Sequence, residues 1–367
     1  MKALRFIKKN AVFCISALAA ASTCFLVPPD KAYFGYFDWK TLSCLFLTLA
    51  VVCALRNIKF FTILARKLVT LAGNLRSLFL LLIIITFIGS MIIANDMALI
   101  TFLPLGYFAL TVTKKEKYMV YLFVLQNISA NLGGMLTPFG NPQNLYLYSY
   151  FNIPTGEFCK IMLPSFLLAV LLLVIACIPI KPTKFSLEED FGEKLNVKKT
   201  VLYCVLFLLS ILIVFRVVPF IVGLIIIPVI LFFVDRESLK MVDYSLLGTF
   251  FFFFIFAGNL ARLDSVNTLI SSLLEKDTLI VSTLSCQFIS NVPSAILLSR
   301  FTNDYPSLLL GVNIGGTGTL IASLASLITF SEFRLLHPEQ TKKYLCIFTV
   351  LNVIFLVVLT TAAKMLS

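Results

Sequence analysis

Long apolar runs separated by short polar or basic loops set the pattern of this 367-residue chain. Most of the runs come close to the roughly 20 apolar residues that a helix needs to cross a membrane. They are too long for the strands of a membrane barrel and lack two-residue alternation, so we assign them as helices. The segments cover residues 11–27, 38–55, 77–112, 117–153, 158–178, 199–216, 219–234, 245–262, 278–301, 308–330 and 344–362.

Three of these segments differ from a simple span. Segment 77–112 is long enough for two crossings, and segment 117–153 is interrupted by glycine and proline. Segment 278–301 is too short for two full spans. A further stretch, 57–76, mixes basic and apolar residues and is typical of an amphipathic helix that lies on the membrane surface.

The composition supports a membrane protein. The chain is 59% hydrophobic and 13% charged, with a mean hydropathy of +0.99. A soluble domain keeps a wetted polar surface and cannot bury this much apolar material. The start of the chain, from Met1 to Phe25, has basic residues before an apolar stretch and fits either a cleaved signal peptide or a retained first span. We expect a retained span, and the predicted topology is the same in both cases.

The distribution of basic residues predicts the orientation. The net charge is +12, but Lys and Arg are spread over short loops and form no single patch, so we expect no nucleic-acid partner. With a cytoplasmic N-terminus and with 278–301 as a re-entrant hairpin, 22 of the 30 Lys and Arg lie in cytoplasmic loops, as the positive-inside bias requires. Segment 77–112 crosses an even number of times on either interpretation. We predict a multi-pass protein of the cell membrane.

The chain divides into two similar halves. The hydrophilic linker 180–199 separates residues 1–179 from residues 200–367. Each half contains a span, a surface segment, a hairpin (77–112 or 278–301), an interrupted helix (117–153 or 308–330) and a final span. The predicted topology gives the two halves opposite directions, which is the plan of many secondary transporters. The predicted fold is therefore an all-α polytopic inverted-repeat transporter with two hairpins, two interrupted helices and about nine full spans.

A repeated motif lies in the interrupted helices. The pattern N-x-G-G-x-x-T occurs at 131–137 and again at 313–319, and the offset between the two copies is the same at every matching position. Glycine breaks a helix at low cost, and Pro138 and Pro142 prevent the helix from resuming at once. Exposed backbone groups inside a membrane are tolerated only within protein or beside a watery cavity. The motif therefore predicts a break that lines a site, although glycine pairs also serve close helix packing.

The two hairpins carry a second pair of signals. Asn95 and Asp96 lie near the middle of the first hairpin, and Ser290 and Asn291 lie near the middle of the second. The first pair could form a plain turn outside the membrane or a hairpin tip at mid-depth. An acid at mid-depth is costly and usually functional. Asp96 is therefore the candidate for proton or cation coupling.

The candidate substrate and ion site combines the tips and the breaks. Its amide and hydroxyl side chains can coordinate a cation or bind an anion, and half-helix N-termini offer free N–H groups to an anion. The chain has one histidine and no metal-binding or hydrolase motif, so we predict no metal site, no cofactor and no catalytic residue. The predicted site residues are Asn95, Asp96, Asn131, Gly133, Gly134, Thr137, Gly140, Asn141, Asn144, Ser290, Asn291, Asn313, Gly315, Gly316, Thr317, Thr319 and Ser323.

Four motifs together resemble the ion transporter superfamily, which includes citrate-transporter-like permeases, divalent anion:sodium symporters, arsenite efflux permeases and a class of sodium/proton antiporters. The resemblance covers nearly the whole chain. The first-half motifs are similar to those of the arsenite-permease and citrate-transporter-like branches. The four motifs are Ala94-Asn-Asp-Met-Ala-Leu-Ile-Thr-Phe-Leu-Pro104, Leu132-Gly-Gly-Met-Leu-Thr-Pro-Phe-Gly-Asn-Pro-Gln-Asn144, Ser290-Asn-Val-Pro293 and Gly311-Val-Asn-Ile-Gly-Gly-Thr-Gly-Thr-Leu-Ile-Ala-Ser323.

The resemblance implies a secondary transporter of a small anion, a carboxylate or an inorganic oxyanion, driven by H+ or Na+. It also implies an elevator-like motion and a homodimer. The symporter branch has Ser-Asn-Thr at both tips, whereas this chain has Ala94-Asn95-Asp96 and Ser290-Asn291-Val292. A sodium/proton antiporter on the same fold, with Asp96 exchanging the ions, is the alternative. By the resemblance, substrate or coupling ion would contact Asn95, Asn131, Thr137, Asn141, Asn291, Asn313, Thr319 and Ser323.

Overall fold

The computed structural model describes residues 10–184 and 195–366. In this part of the chain the regular structure is helical, apart from one isolated bridge between Asn74 and Lys184. Eight of the described helices are long and apolar enough to cross a membrane, and three further apolar helices are shorter. The predicted all-α polytopic fold is confirmed. Half of the predicted linker 180–199 lies outside the described residues, and the division of the chain there stays a prediction.

Six helices form what we call the scaffold group. Helix α2 lies at its centre, against α9, α10, α11 and α12, while α12 packs along α1. Small residues make this close packing possible, because Ala50, Cys53 and Ala54 of α2 are fully buried. The helices are α1 (Ala11–Leu26), α2 (Trp39–Asn57), α9 (Val197–Val214), α10 (Phe220–Val234), α11 (Arg236–Lys240) and α12 (Tyr244–Ala261).

The remainder of the first half forms a short amphipathic helix, a hairpin, a broken helix and a long helix. The amphipathic helix α3 (Phe60–Val69) buries Phe61, Ile63 and Ala65 and exposes Lys67. It lies within the stretch where a surface helix is predicted. The other helices are α4 (Leu75–Ile93), α5 (Asn95–Val112), α6 (Met119–Gly133), α7 (Pro142–Tyr150) and α8 (Thr155–Cys177).

The second half repeats this order. Helix α13 contains a kink at Asp277, where φ is −167° and ψ is 93°, so its first part corresponds to α3 and its second part to the first hairpin arm. Residues 315–323 form the break, with one 3-10 turn at Leu320–Ala322. The helices are α13 (Asp264–Ile289), α14 (Asn291–Leu298), α15 (Tyr305–Ile314), α16 (Leu324–Leu336) and α17 (Thr341–Leu366).

The two hairpins differ in length. Helices α4 and α5 have 19 and 18 residues, so each is about 28 Å long, close to the thickness of the hydrocarbon core. In the second hairpin α14 has eight residues and reaches only about 12 Å. A hairpin with so short an arm cannot cross the membrane twice, in agreement with the re-entrant hairpin predicted for 278–301.

The hairpins, the broken helices, α8 and α17 form a second group, which we call the hairpin group. It meets the scaffold group where α7 packs on α2 and where α14 packs on α12. Arg262 lies at the end of α12, two residues before Asp264. Its guanidinium binds Asp30 in the α1–α2 connection through two hydrogen bonds of 3.0 and 2.7 Å. This contact holds the pKa of Asp30 below its usual range.

Candidate functional site

Both hairpin tips have the same backbone. Ala94 (φ 67°, ψ 154°) and Ser290 (φ 74°, ψ 159°) adopt a left-handed conformation that residues other than glycine rarely occupy. The Oδ1 atom of Asn95 accepts from the N–H of Asp96 at 3.0 Å, and that of Asn291 accepts from the N–H of Val292 at 2.9 Å. Asn95 and Asn291 are both buried. The first tip is therefore packed inside the protein, and it is not a solvated turn.

Each break is fastened to its hairpin by the threonine of the repeated motif. Thr137 Oγ1 donates to the carbonyl of Met91 at 2.8 Å, and Thr319 Oγ1 donates to the carbonyl of Gln287 at 3.1 Å. Met91 and Gln287 each lie one helical turn before the asparagine of their own tip. The two threonines thus have equivalent positioning contacts, and Thr319 is the more exposed of the two.

The motif glycines allow the broken helices to lie against the hairpin arms. A Cβ at Gly133 would collide with the backbone of Phe87, and one at Gly315 would come within 2.9 Å of Cys286. The same constraint explains the other glycines of the predicted site. Gly134 and Gly140 face each other across the first break, and Gly316 lies against the Asn291 side chain.

The two breaks meet in a buried cluster of amide side chains. Asn313 Nδ2 donates to Asn144 Oδ1 at 2.6 Å, and Asn313 Oδ1 accepts from Asn141 at 3.3 Å and from Gln143 at 3.4 Å. Asn144 also donates to backbone carbonyls of the first break, including that of Gly134 at 3.1 Å. All four side chains are at most 1% exposed. The cluster therefore satisfies backbone groups that the break frees and joins the two halves.

Asn131 connects the cluster to the first hairpin tip, since its carbonyl accepts from Asn141 Nδ2 at 3.3 Å. Asn131 Nδ2 donates to Ser326 Oγ at 3.4 Å, and Asn95 Nδ2 donates to Asn131 Oδ1 at 3.4 Å. Ser323 caps α16 and shares a hydrogen bond of 3.0 Å with Ser326. Asn127 donates to the same Ser326 hydroxyl at 3.3 Å. Tip, first break and second break are thus one connected polar network.

A cavity of about 70 Å³, which we call the tip cavity, lies beside this network and between the two helix groups. The first residues of α5, α7 and α16 all line it. Asp96, from the tip of the first hairpin, also lines the cavity. Its Oδ1 atom is buried without a hydrogen-bond partner among the described residues. The lining residues are Leu45, Thr48, Leu49, Ala94, Asp96, Met97, Ile100, Phe139, Pro142, Leu145, Asp243, Leu246, Leu324 and Ile328.

A larger cavity of about 310 Å³, which we call the basic cavity, adjoins the tip cavity at Ile100. Arg56, Lys59 and Arg66 line it from α2, α3 and the connection between them, together with Thr62 and Thr101. Three basic side chains around one opening make its electrostatic potential positive. No group of three or more His, Cys, Asp or Glu within residues 10–184 and 195–366 is arranged to hold a metal ion.

The structure brings seven of the predicted residues together and gives several others a structural role. The polar network or the tip cavity contains Asn95, Asp96, Asn131, Asn141, Asn144, Asn313 and Ser323. Thr317 donates within its own break to Ile314, and Ser290 donates to the carbonyl of Ala322, so both hold local backbone. Contributors that the sequence reasoning missed are Thr48, Asn127, Gln143, Asp243, Gln287 and Ser326.

Only some of the missed residues had a signal in the sequence. Ser326 is the repeat equivalent of Asn144, so the offset that relates the two motif copies would have found it. Asn127 lies one turn before Asn131 on the same helix face. Thr48 and Asp243 belong to scaffold helices far from the motifs, and only the packing of α2 and α12 against the hairpin group brings them to the site.

The model of a protein family described as "Citrate transporter" matches residues 4–303. The chain belongs to the citrate transporter family. This family member is 33% identical to an uncharacterized transporter of Methanocaldococcus jannaschii, with 90% of this chain and 91% of the relative aligned. It is 28% identical to the inner membrane protein YbiR of Escherichia coli, over 89% and 88% of the two chains. A segment of 95 residues is 34% identical to the low-affinity phosphate transporter PHO90 of Saccharomyces cerevisiae, over 21% of this chain and 11% of that protein.

These likenesses confirm the resemblance derived from the four motifs. The family member is a multi-pass membrane protein with a role in transport. Proposals about its substrate and its coupling ion rest on the geometry of the site together with these likenesses.

Proposed function

We propose that this family member is a secondary active transporter that moves a small anion, a carboxylate or an inorganic oxyanion, together with H+ or Na+. The observation that carries the proposal is the convergence of three helix N-termini of the hairpin group, those of α5, α7 and α16, on the tip cavity, which the N-terminus of α12 also lines. The positive end of a helix dipole favours an anion at such a position. The basic cavity next to it would concentrate anions on one side.

Asp96 provides a reason for coupling. An ionised carboxylate in the same small cavity repels an anion, and the repulsion is strong where little water is present. Binding of a proton or a sodium ion at Asp96 removes that repulsion, so the cation and the anion bind more tightly together than apart. This mutual dependence is what a symporter requires, because each ligand must increase the affinity for the other.

The position of the tip cavity supports a mechanism of movement. Thr48 and Asp243 belong to the scaffold group, whereas Asp96, Pro142 and Leu324 belong to the hairpin group. A ligand bound between the groups would become accessible from the other side if the hairpin group moved as a unit against the scaffold. We place the N-terminus in the cytoplasm of the cell membrane from the charge distribution, and we expect the family's elevator-like motion and homodimer.

The names of the similar proteins support the substrate class. The name of the family mentions citrate, which is a carboxylate, and the name of the yeast relative mentions phosphate, which is an inorganic oxyanion. Both are small anions that can accept hydrogen bonds from several N–H and O–H groups at once. A sodium/proton antiporter is the second candidate, because two acids, Asp96 and Asp243, line the same cavity.

The test is a ligand screen by thermal unfolding of the purified full-length protein. Citrate, succinate, sulfate, phosphate and arsenite would each be added with and without sodium, from about pH 5.5 to about pH 8.5. A ligand at 100 times its Kd stabilises the folded state by about 2.7 kcal/mol. We expect one anion to raise the unfolding temperature in the presence of sodium or at low pH.

Uptake into proteoliposomes completes the test. The anion found in the screen should accumulate when a proton or sodium gradient is imposed, and it should not accumulate when the gradient is absent. A shift with sodium alone, together with sodium-driven proton movement in the vesicles, would replace this proposal by the antiporter. Absence of gradient-dependent flux for every anion would contradict it.

A further inference from the structure

We propose that the basic cavity is a second anion site, in which Arg56, Lys59 and Arg66 hold a small oxyanion of two or more negative charges on its way between the cytoplasm and the tip cavity. The proposal deepens the proposed function and rests on it for the transport of that anion. The cavity lies beside α3, within the stretch that is predicted to face the cytoplasm. The two cavities are neighbours, because Ile100 of α5 lines both.

The lining of the basic cavity is positively charged and, in the part of the chain that the structure describes, includes no acidic residue. Arg56 lies in the last turn of α2, and Arg66 lies in the last turn of α3. Lys59, Thr62 and Arg66 are three and four positions apart, so they share one face at α3. Three cationic groups and a hydroxyl therefore surround one space from the α2–α3 side.

The opposite wall of the basic cavity is mainly apolar. Ile100, Pro104 and Phe108 follow one another at intervals of four along α5, so one face of this helix forms the wall. A wall of low dielectric constant focuses the field of the charges that it faces. The volume of about 310 Å³ lies within the range of small-molecule sites, which is about 300–1,000 Å³. The cavity thus has both the charge and the size that a small polyvalent anion requires.

Arg56 places a guanidinium at the boundary between the two cavities. Its Nη1 atom lies 3.8 Å from Met97 Sδ, and Met97 lines the tip cavity. A thioether is a weak acceptor, whereas a guanidinium has five N–H donors. No ion pair joins Arg56 to a carboxylate among the described residues. Since arginine binds carboxylates and phosphates through paired hydrogen bonds, Arg56 can hold an oxyanion where the two cavities meet.

The two anion sites differ in what controls binding. Asp96 and Asp243 line the tip cavity, so an anion binds there more tightly when a cation or a proton reduces the negative charge. The basic cavity has no carboxylate in its described lining, so an anion can bind there without a coupling ion. The basic cavity would therefore keep the anion close to the tip cavity whether or not the coupling ion is bound.

The test measures sulfate binding by thermal unfolding of the purified full-length protein in a non-ionic detergent. Sulfate is a suitable probe because it stays divalent, and arginine stays cationic, from about pH 5.5 to about pH 8.5. We expect a saturable rise in unfolding temperature that is equal with and without sodium and equal across this pH range. Chloride at the same ionic strength should give a much smaller rise, because a single charge interacts more weakly with three cations.

The variants Arg56→Gln and Arg66→Gln each remove one charge from the cavity, and Lys67→Gln is their matched control. Lys67 follows Arg66 on α3, but its side chain is exposed and does not line the cavity. We expect each arginine variant to raise the apparent Kd of sulfate about tenfold, and the control to keep the wild-type value. Arg56→Lys, which keeps the charge without the paired donors, should give an intermediate Kd. The general stabilisation by sulfate, which arises from its exclusion from protein surfaces, should be equal in all variants.

The unfolding temperature without sulfate shows whether each variant is folded. Equal weakening of sulfate binding in Lys67→Gln, or no saturable effect in the wild type, would overturn the proposal. A sulfate effect that needs sodium or low pH would also overturn it, because the anion would then occupy the tip cavity. Stabilisation by phosphatidylglycerol, but not by phosphatidylethanolamine or sulfate, would assign the cavity to a lipid headgroup instead. The measurements involve no gradient and no flux, so failure of the proposed function would be recognised separately.

Discussion

Asn313 of the second broken helix donates a hydrogen bond of 2.6 Å to Asn144 of the first. The repeat offset relates this pair to Asn131 and Ser326, which are also hydrogen-bonded, at 3.4 Å. The two halves of the chain therefore hold each other through two equivalent contacts. The pairing is reciprocal, since each motif asparagine binds a residue just after the break in the other half.

Replacement of Asn313 by alanine should destabilise the protein and abolish transport. The change leaves Asn144 Oδ1 without its donor and Gln143 Nε2 without its acceptor, and each buried group left unpaired costs about 1–3 kcal/mol. We expect the free energy of unfolding to fall by about 2–5 kcal/mol. Thermal unfolding and uptake of the anion found in the screen would measure both effects.

Asn352→Ala is the matched control for Asn313→Ala. Asn352 is equally buried, but its Nδ2 donates only to Phe348 within its own helix α17. Its replacement should change stability much less and leave uptake in place. Equal losses in the two variants would show that the contact between the halves has no special importance.

Replacement of Gly133 by alanine should force α6 away from the first hairpin. The new Cβ would collide with the Phe87 backbone, which cannot move without shifting α4. Overpacking of this kind costs about 1–3 kcal/mol. Gly156→Ala is the comparison, because a Cβ there meets nothing within 4 Å and alanine favours the helix. We expect a lower unfolding temperature for the first variant and an equal or higher one for the second; the reverse order would contradict the close approach described here.

Replacement of Ala94 by glycine should stabilise the first hairpin tip. Ala94 occupies a conformation that costs a residue with a Cβ about 1–3 kcal/mol, whereas glycine adopts it freely. After allowing for the greater freedom of the unfolded glycine chain, we expect a gain of up to about 1 kcal/mol. Ala98→Gly, in the regular part of α5, should instead lose about 1 kcal/mol. Chemical or thermal unfolding of both variants tests the prediction, and a loss in Ala94→Gly would refute the strain.

The ion pair between Asp30 and Arg262 should not contribute to pH dependence in the neutral range. The Arg262 guanidinium holds the pKa of Asp30 below its ordinary value of 3.8. The pair's contribution to stability is therefore fully present above about pH 4 and is lost only as the pH falls through the lowered pKa. Asp30→Asn should shift the unfolding temperature equally from pH 5.5 to pH 8.5. A shift that varies across this range would show that Asp30 titrates there.

The sequence was sufficient to predict the membrane class, the helices and the order of elements. Apolar runs of about 20 residues have few alternatives to helix in a bilayer, because every backbone group must be bonded within the segment. The N-x-G-G-x-x-T repeat located both breaks, since glycine and proline stop a helix by their own backbone chemistry. Asn95 and Asn291 were found as tips because polar residues stand out in an apolar run.

The tertiary structure decided which residues share a site. Thr137 and Thr319 were expected to contact a substrate or ion, but they donate to hairpin carbonyls, a role that depends on how closely the arms approach the breaks. Thr48 and Asp243 carry no motif, and they line the same cavity as Asp96 because α2 and α12 pack against the hairpin group. Sequence spacing specifies a residue's position along its own helix, whereas contacts between helices arise from the packing of the whole chain. The local elements of this protein were therefore determined by the sequence pattern, and the residues that surround the tip cavity were decided by the fold.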